Sequence, residues 1–162
     1  MRADYFSPDT QEFLILLEKY RVKYLIVGGE AVIYYGHARL TGDVDFFYDI
    51  SKTNVQNLYQ ALLEFWGGNI PGVGDMKALS KPGMIFMFGV PPNRIDLLNN
   101  ITHVTFQEAW PSRKTENVII NNKNVSIHFI GLHDLIRNKE ALGRPRDLED
   151  LVYLRKIKEK SS

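Results

Sequence analysis

Two aspartates, one residue apart, sit inside an otherwise apolar β-type run, "GDVDFFYD", residues 42–49. Side chains alternate along a strand, so Asp43 and Asp45 share one face and Val44 and Phe46 take the other, with the acid Cα atoms roughly 6–7 Å apart. Two neighbouring carboxylates on a strand made for burial are costly unless a cation compensates them. The fold must therefore bring positive charge to that face. A divalent cation completed by phosphate oxygens meets the demand. Hard oxygen ligands favour Mg²⁺ or Mn²⁺, and side chains at this spacing converge on one ion or bridge a pair about 3.5–4 Å apart.

Upstream, with a gap of thirteen residues before Asp43, the run "VKYLIVGG" ends in Gly28 and Gly29. A glycine pair at a strand end lets backbone N–H groups approach an anion with no Cβ in the way. The stretch has neither the G-x-G-x-x-G spacing of a dinucleotide fold nor the G-K-[ST] of a Walker loop. Downstream, Asp96 is the only acid in the β-type run of "NRIDLLNN". It joins the other two if its strand pairs beside theirs, and faces solvent if it lies on an edge.

The rest of the chain reads as strands and helices intermixed. Ser7 and Pro8 make a helix start that runs through "DTQEFLILLEKY". "EAVIYYG" is a brief helix closed by Gly36. Val55, Leu58, Tyr59, Leu62, Leu63 and Trp66 form a helical stripe stopped by Gly67. Residues 67–83 are too rich in Gly and Pro for a regular element, and so long a loop is usually functional or mobile. "MIFMFGV" and "RIDLLN" form a strand pair, Thr105 and Glu108 a capping box, and "NVIINNKNVSIHFI" two strands about an Asn-rich turn. Two helices separated by Gly143 and Pro145 follow. The expected fold is α/β (α+β): a mixed β-sheet of about five to six strands with helices packed on it. A length of 162 residues suits one domain, 1–162, ending in a helical pair at about 131–159.

A net charge of +1 excludes a chain that binds nucleic acid or membrane by bulk charge. From Arg137 to Lys160, however, eight Lys or Arg stand against five acids, either a solvated face or a surface for a polyanion. The absence of cysteine excludes disulfides and thiolate metal sites. With no apolar run near the ~20 residues of a spanning helix and no signal-peptide pattern at the N-terminus, the expectation is a cytoplasmic protein without a membrane partner.

Arg39 and Thr41, just ahead of the acids, are placed to clamp a phosphate and donate a hydroxyl to one. Lys139 falls on the inward stripe of Leu132, Leu135 and Ile136, so it must snorkel, pair with an acid, or reach a ligand anion. Asp147 shares a face with Leu151 and Leu154. A Lys139–Asp147 or Arg144–Asp147 pair joining the last two helices is thus the alternative to nucleotide contact. His37, His103, His128 and His133 show no spacing for a shared metal.

Gly-Gly, the thirteen-residue gap, D-x-D between hydrophobics and a later lone Asp together resemble the DNA polymerase beta-like nucleotidyltransferase superfamily. More narrowly, "GGEAVIYYGHARLTGDVDFF" and "LHDLIRNKEALGRPRDLEDLVYL" are similar to the AbiEii-type toxins and minimal nucleotidyltransferases, over most of residues 23–154. The resemblance implies a mixed sheet with helices on one side, two divalent ions, and transfer of a nucleoside monophosphate from an NTP to a hydroxyl. It implies that Gly28 and Gly29 hold the triphosphate and that Asp43 and Asp45 bind both metals. Asp96 then holds the metal that activates the attacking hydroxyl, or serves as its base. Because a Lys and a "GRxxD" recur in the family motif, the resemblance also draws Lys139 and Arg144 toward the nucleotide. The implied setting is toxin–antitoxin or phage defence, with a tRNA 3′ end, a protein hydroxyl or a small molecule as acceptor and an antitoxin or toxin as possible partner. A tRNA would meet the basic C-terminal stretch through its phosphates. The rival reading is a non-catalytic or partner-modifying antitoxin-like binding protein on the same fold. Haloacid dehalogenase-like phosphatases fit less well, since Phe47 stands where their D-x-D-x-[TV] motif needs Thr or Val. Metal-dependent glycosyltransferases are generally longer.

Overall fold

The alternation of Val44, Phe46 and Tyr48 with two acids is realised as a central strand, β2 (Asp43–Tyr48). The computed structural model describes residues 1–161. In it β2 lies between β1 (Tyr24–Val27), antiparallel to it, and β4 (Arg94–Leu98), parallel to it. β3 (Ile85–Phe88) flanks β4, and the hairpin β5 (Lys114–Ile120)–β6 (Lys123–Phe129) extends the sheet beyond β1. The six strands run in the order β3-β4-β2-β1-β6-β5. The fold is therefore a mixed, open α/β sheet.

Local signals set the elements between the strands. Ser7 caps α1 (Pro8–Lys19) by accepting from the Thr10 N–H, with Pro8 in the first turn, where its missing N–H is harmless. α2 (Gly28–Tyr34) begins on the glycine pair itself, so Gly28 and Gly29 belong to the helix rather than to the strand end. α3 (Lys52–Phe65) follows the predicted stripe. The Gly/Pro-rich stretch holds one regular piece, a 3₁₀ turn at Met76–Ser80 whose Leu79 is buried. Thr105 and Glu108 close the capping box of the short α4 (Phe106–Ala109). Asn121 and Asn122 take left-handed backbone in the β5–β6 turn, a conformation Asn tolerates. α5 (Leu132–Leu142) ends on Gly143 at φ +61°, and α6 (Pro145–Ser161) restarts two residues on.

Helices cover both faces of the sheet, not one. Val44, Phe46 and Tyr48 pack with Ile95 and Leu97 of β4 under α1 and α3. On the other face Leu25, Val27 and Phe47 pack under α2, α4, α5 and α6. Each helix carries a single apolar stripe, and two opposed sheet faces need two layers to bury them. Asp43, Asp45 and Asp96 lie on the second face, beyond the reach of that core.

Candidate active site

β2 and β4 pair in register, with Asp43 opposite Arg94 and Asp45 opposite Asp96. Parallel neighbours lie about 4.8 Å apart, and the pleat turns all four side chains to one face. The outcome is a cluster in which carboxylate oxygens of Asp43, Asp45 and Asp96 lie within 4.8 Å of one another. Asp96 is 6% exposed, so it faces inward and not to solvent.

Three carboxylates at this range repel. Burial, reinforced by the charges of Asp43 and Asp96, pushes the Asp45 carboxyl up to about 7. Burial also raises Asp96, against the opposing hydrogen bond from Arg94. Arg94 supplies the nearest counter-charge. Its Nε donates to Asp96 Oδ1 at 2.8 Å and its Nη2 to Asp96 Oδ2 at 3.0 Å. The same Nη2 reaches Asp43 Oδ2 at 2.7 Å. One guanidinium against three carboxylates leaves an excess of negative charge, and the donors are all hard oxygens. That set fits a divalent cation of the Mg²⁺ type.

The glycines make room for this cluster. Gly28 has φ +66°, and a Cβ built there would overlap Asp45 Oδ2. A Cβ on Gly29 would come 2.7 Å from Thr41 Oγ1 and 3.3 Å from Arg39 Nη1. α2 therefore seats directly against the loop that carries the predicted phosphate clamps. Those residues are engaged within the protein. Thr41 Oγ1 donates to Asp43 Oδ1 at 3.3 Å. Arg39 holds Asp150 with two hydrogen bonds, at 2.9 and 3.1 Å.

Lys139 is 3% exposed and lies 3.0 Å from Asp147 Oδ1 and 3.1 Å from Asp150 Oδ2, both aspartates fully buried. The Lys139–Asp147 and Arg144–Asp147 pairs weighed against nucleotide contact are thus both formed. Burial alone would raise Asp147, yet the Arg144 and Lys139 hydrogen bonds hold it down at about 2. Arg144 itself is 62% exposed at its side chain. Both cations also border a cleft of about 300 Å³ whose walls include Gly28, Asp45 and Asn138. Asp45, the one acid of the three on this wall, and the C-terminal helix pair accordingly meet across one opening.

Two members escaped the sequence reading. Arg94 is the central counterion, and its signal was its place two residues before Asp96, on the same face of the strand. Asp150 ties Arg39, Lys139 and, at 3.9 Å, His37 to α6, and nothing local marked it out.

A mixed six-stranded sheet bearing three converging acids on adjacent strands defines a nucleotidyltransferase-like α/β protein. The chain belongs to the family described as nucleotidyltransferase of unknown function (DUF6036), whose model matches residues 9–159. Its fold is similar to the crystal structure of an antigenic nucleotidyltransferase-like protein from Paracoccidioides brasiliensis. That likeness has a TM-score of 0.51 at 17% identity, over 90% of this chain and 74% of the other. No curated protein matches. These comparisons support the nucleotidyltransferase superfamily; the narrower AbiEii-type likeness is carried by the sequence motifs alone. Among the described residues no helix is long and apolar enough to cross a membrane.

Proposed function

We propose that the protein is a metal-dependent nucleotidyltransferase that moves a nucleoside monophosphate from an NTP to a hydroxyl acceptor. The observation that carries this reading is the meeting of Asp43, Asp45 and Asp96 beside a cleft walled by Gly28, Lys139 and Arg144. Asp43, Asp45 and Asp96 would hold Mg²⁺ or Mn²⁺, as one ion or two. When bound, the metal neutralises the departing pyrophosphate and acidifies the incoming hydroxyl.

The protein's own residues then have distinct parts. Gly28 and Gly29 give the triphosphate close access to backbone. Arg144, still largely exposed, meets its phosphates. Lys139 lines the nucleotide cleft while fixing α5 to α6 through Asp147 and Asp150. Arg39 and Thr41 position, the first through Asp150 and the second by its hydrogen bond to Asp43. In the transfer itself, the acceptor oxygen bonds to the α-phosphorus and pyrophosphate leaves with its bridging oxygen. The hydroxyl proton passes to Asp96, the third acid of the cluster, acting as general base. The whole chain, 1–162, serves as one catalytic domain acting in the cytoplasm. We retain the toxin–antitoxin setting suggested by the sequence motifs as its context.

The test is incubation with each α-labelled NTP, Mg²⁺, and either total tRNA, cell protein or small hydroxyl compounds. Wild type should label one acceptor class, and Asp43→Asn or Asp96→Asn should lower that labelling roughly a hundredfold or more. Absence of both labelling and Mg²⁺–NTP binding in the wild type would sink the reading.

A further inference from the structure

A second cavity is larger than the one beside the acids. It measures about 610 Å³, within the range of small-molecule pockets. Tyr5, Glu30, Ile33, Tyr34, Glu116 and Phe129 form most of its wall. α2 lines both spaces. Gly28 faces the cleft with Asp45, whereas Glu30, Ile33 and Tyr34, further along the helix, face this larger pocket. The Glu30 carboxyl is near enough to Asp43 and Arg39 for their charges to bear on it. The pocket therefore adjoins the catalytic acids across a single turn of helix.

Its wall has a definite chemistry. The Tyr34 ring lies flat on Phe129, with centroids 4.0 Å apart and planes 7° from parallel, an aromatic slab. Two carboxylates flank it. The Tyr5 hydroxyl donates to Glu30 Oε2 at 2.6 Å, and the Tyr34 hydroxyl donates to Glu116 Oε1 at 2.8 Å. Each tyrosine engages one oxygen of its acid and leaves the second for another donor. Among the described residues neither glutamate forms an ion pair. The guanidinium on the rim, Arg2, is taken by Asp4 at 2.9 Å. Partly desolvated carboxylates without a cation partner attract positive charge, and an aromatic face favours a cation or an apolar body. The same acids repel a phosphate backbone, which counts against RNA in this pocket.

We propose that this pocket receives the acceptor, and that the acceptor is a small hydroxyl-bearing amine. Its protonated nitrogen sits between Glu30 and Glu116, its apolar body lies on the Tyr34–Phe129 slab, and its hydroxyl points toward Asp43. The assignment of this ligand as acceptor rests on the nucleotidyltransferase reading; the preference of the pocket for a cation does not. The product is the nucleotidylated hydroxyl compound plus pyrophosphate, with the hydroxyl proton left on the protein.

A charge series on one body tests it. Calorimetric titration of the full chain compares tyramine, neutral 4-ethylphenol and anionic 4-hydroxyphenylacetate, with MgATP titrated separately. Tyramine should bind at least about tenfold more tightly than 4-ethylphenol, the anion more weakly than both. Glu116→Gln, and separately Glu30→Gln, should abolish the preference for tyramine while leaving 4-ethylphenol binding and the melting temperature near wild type. Equal binding of the amine and the neutral phenol by wild type overturns the proposal, as does a preference that survives both substitutions. MgATP binding without amine selectivity removes the pocket assignment alone. Amine selectivity in a chain that binds no MgATP removes the acceptor role together with the transfer reading.

Discussion

Arg94 Nη2 lies 2.7 Å from Asp43 Oδ2, across the β2–β4 pair, while the same side chain grips Asp96 through two hydrogen bonds. The guanidinium occupies oxygens that a metal would use, so arginine and cation compete for Asp43 and Asp96. Arg94→Gln should tighten Mn²⁺ binding by roughly tenfold, because the competitor is gone while hydrogen bonding to Asp96 is partly kept. Mn²⁺ titration followed by electron paramagnetic resonance measures this. Weaker binding in the variant would show that Arg94 organises the acids for the metal instead of competing with it.

The Asp45 carboxyl, raised to about 7 by burial and its acidic neighbours, makes metal-free stability depend on pH. Between the ordinary aspartate range and about 7, the folded chain holds a proton that the unfolded chain has released. Raising the pH through that window therefore favours unfolding. In EDTA the melting temperature should fall by several degrees between pH 5 and pH 8, at roughly 2–4 °C per kcal/mol. Asp45→Asn should flatten this fall and melt above wild type at pH 8. Mg²⁺ should flatten it in the wild type. A profile unchanged by the substitution would assign the slope elsewhere.

Lys139 sits between two fully buried aspartates, and its loss strands charge in the core. Arg144 and Arg39 still neutralise Asp147 and Asp150 in part. Lys139→Met should accordingly destabilise toward the low end of the ~3–5 kcal/mol for a broken buried pair. Urea denaturation measures it, and Lys139→Met combined with Asp150→Asn should recover part of the loss. An unchanged midpoint would free Lys139 for a purely nucleotide-facing role.

Gly28 and Gly67 share φ +66°, but only Gly28 has a neighbour, Asp45, in the space of a Cβ. Alanine at either site carries the left-handed backbone strain of about 1–2 kcal/mol. Gly28→Ala should in addition displace Asp45 and weaken Mn²⁺ binding by roughly tenfold or more, a loss that Gly67→Ala does not share. Calorimetric Mn²⁺ titrations of the two variants check this. Equal affinities would mean the Asp45 carboxylate simply turns aside.

The features legible in the sequence were those written locally. The Ser7–Pro8 start, the Thr105–Glu108 box and the Asn121–Asn122 turn each satisfy or shape backbone within a few residues, and all three formed. The Asp43–Asp45 pair was readable because strand alternation sets its face. Asp96 was readable only as a lone acid, since its direction depends on pairing with a strand fifty residues away. The same distance hid Arg94 as a counterion. Arg39 has the local look of a phosphate clamp because its partner, Asp150, lies 111 residues downstream. That helices cover both sheet faces was likewise not local information: an amphipathic stripe says that a face is buried, not which layer buries it.

The alignment of Asp45 with Asp96 has a bearing on how the chain reaches its working form. A slip of β4 by a single residue against β2 would turn Asp96 into the oily layer beneath α1 and α3 and turn Ile95 and Leu97 out of it, onto the face of Asp43 and Asp45. Such a misaligned chain loses core packing and the acid cluster together. The same hydrophobic selection that lets the molecule fold thus proofreads the chemistry, and a folded population with miswired carboxylates has no stable place to accumulate.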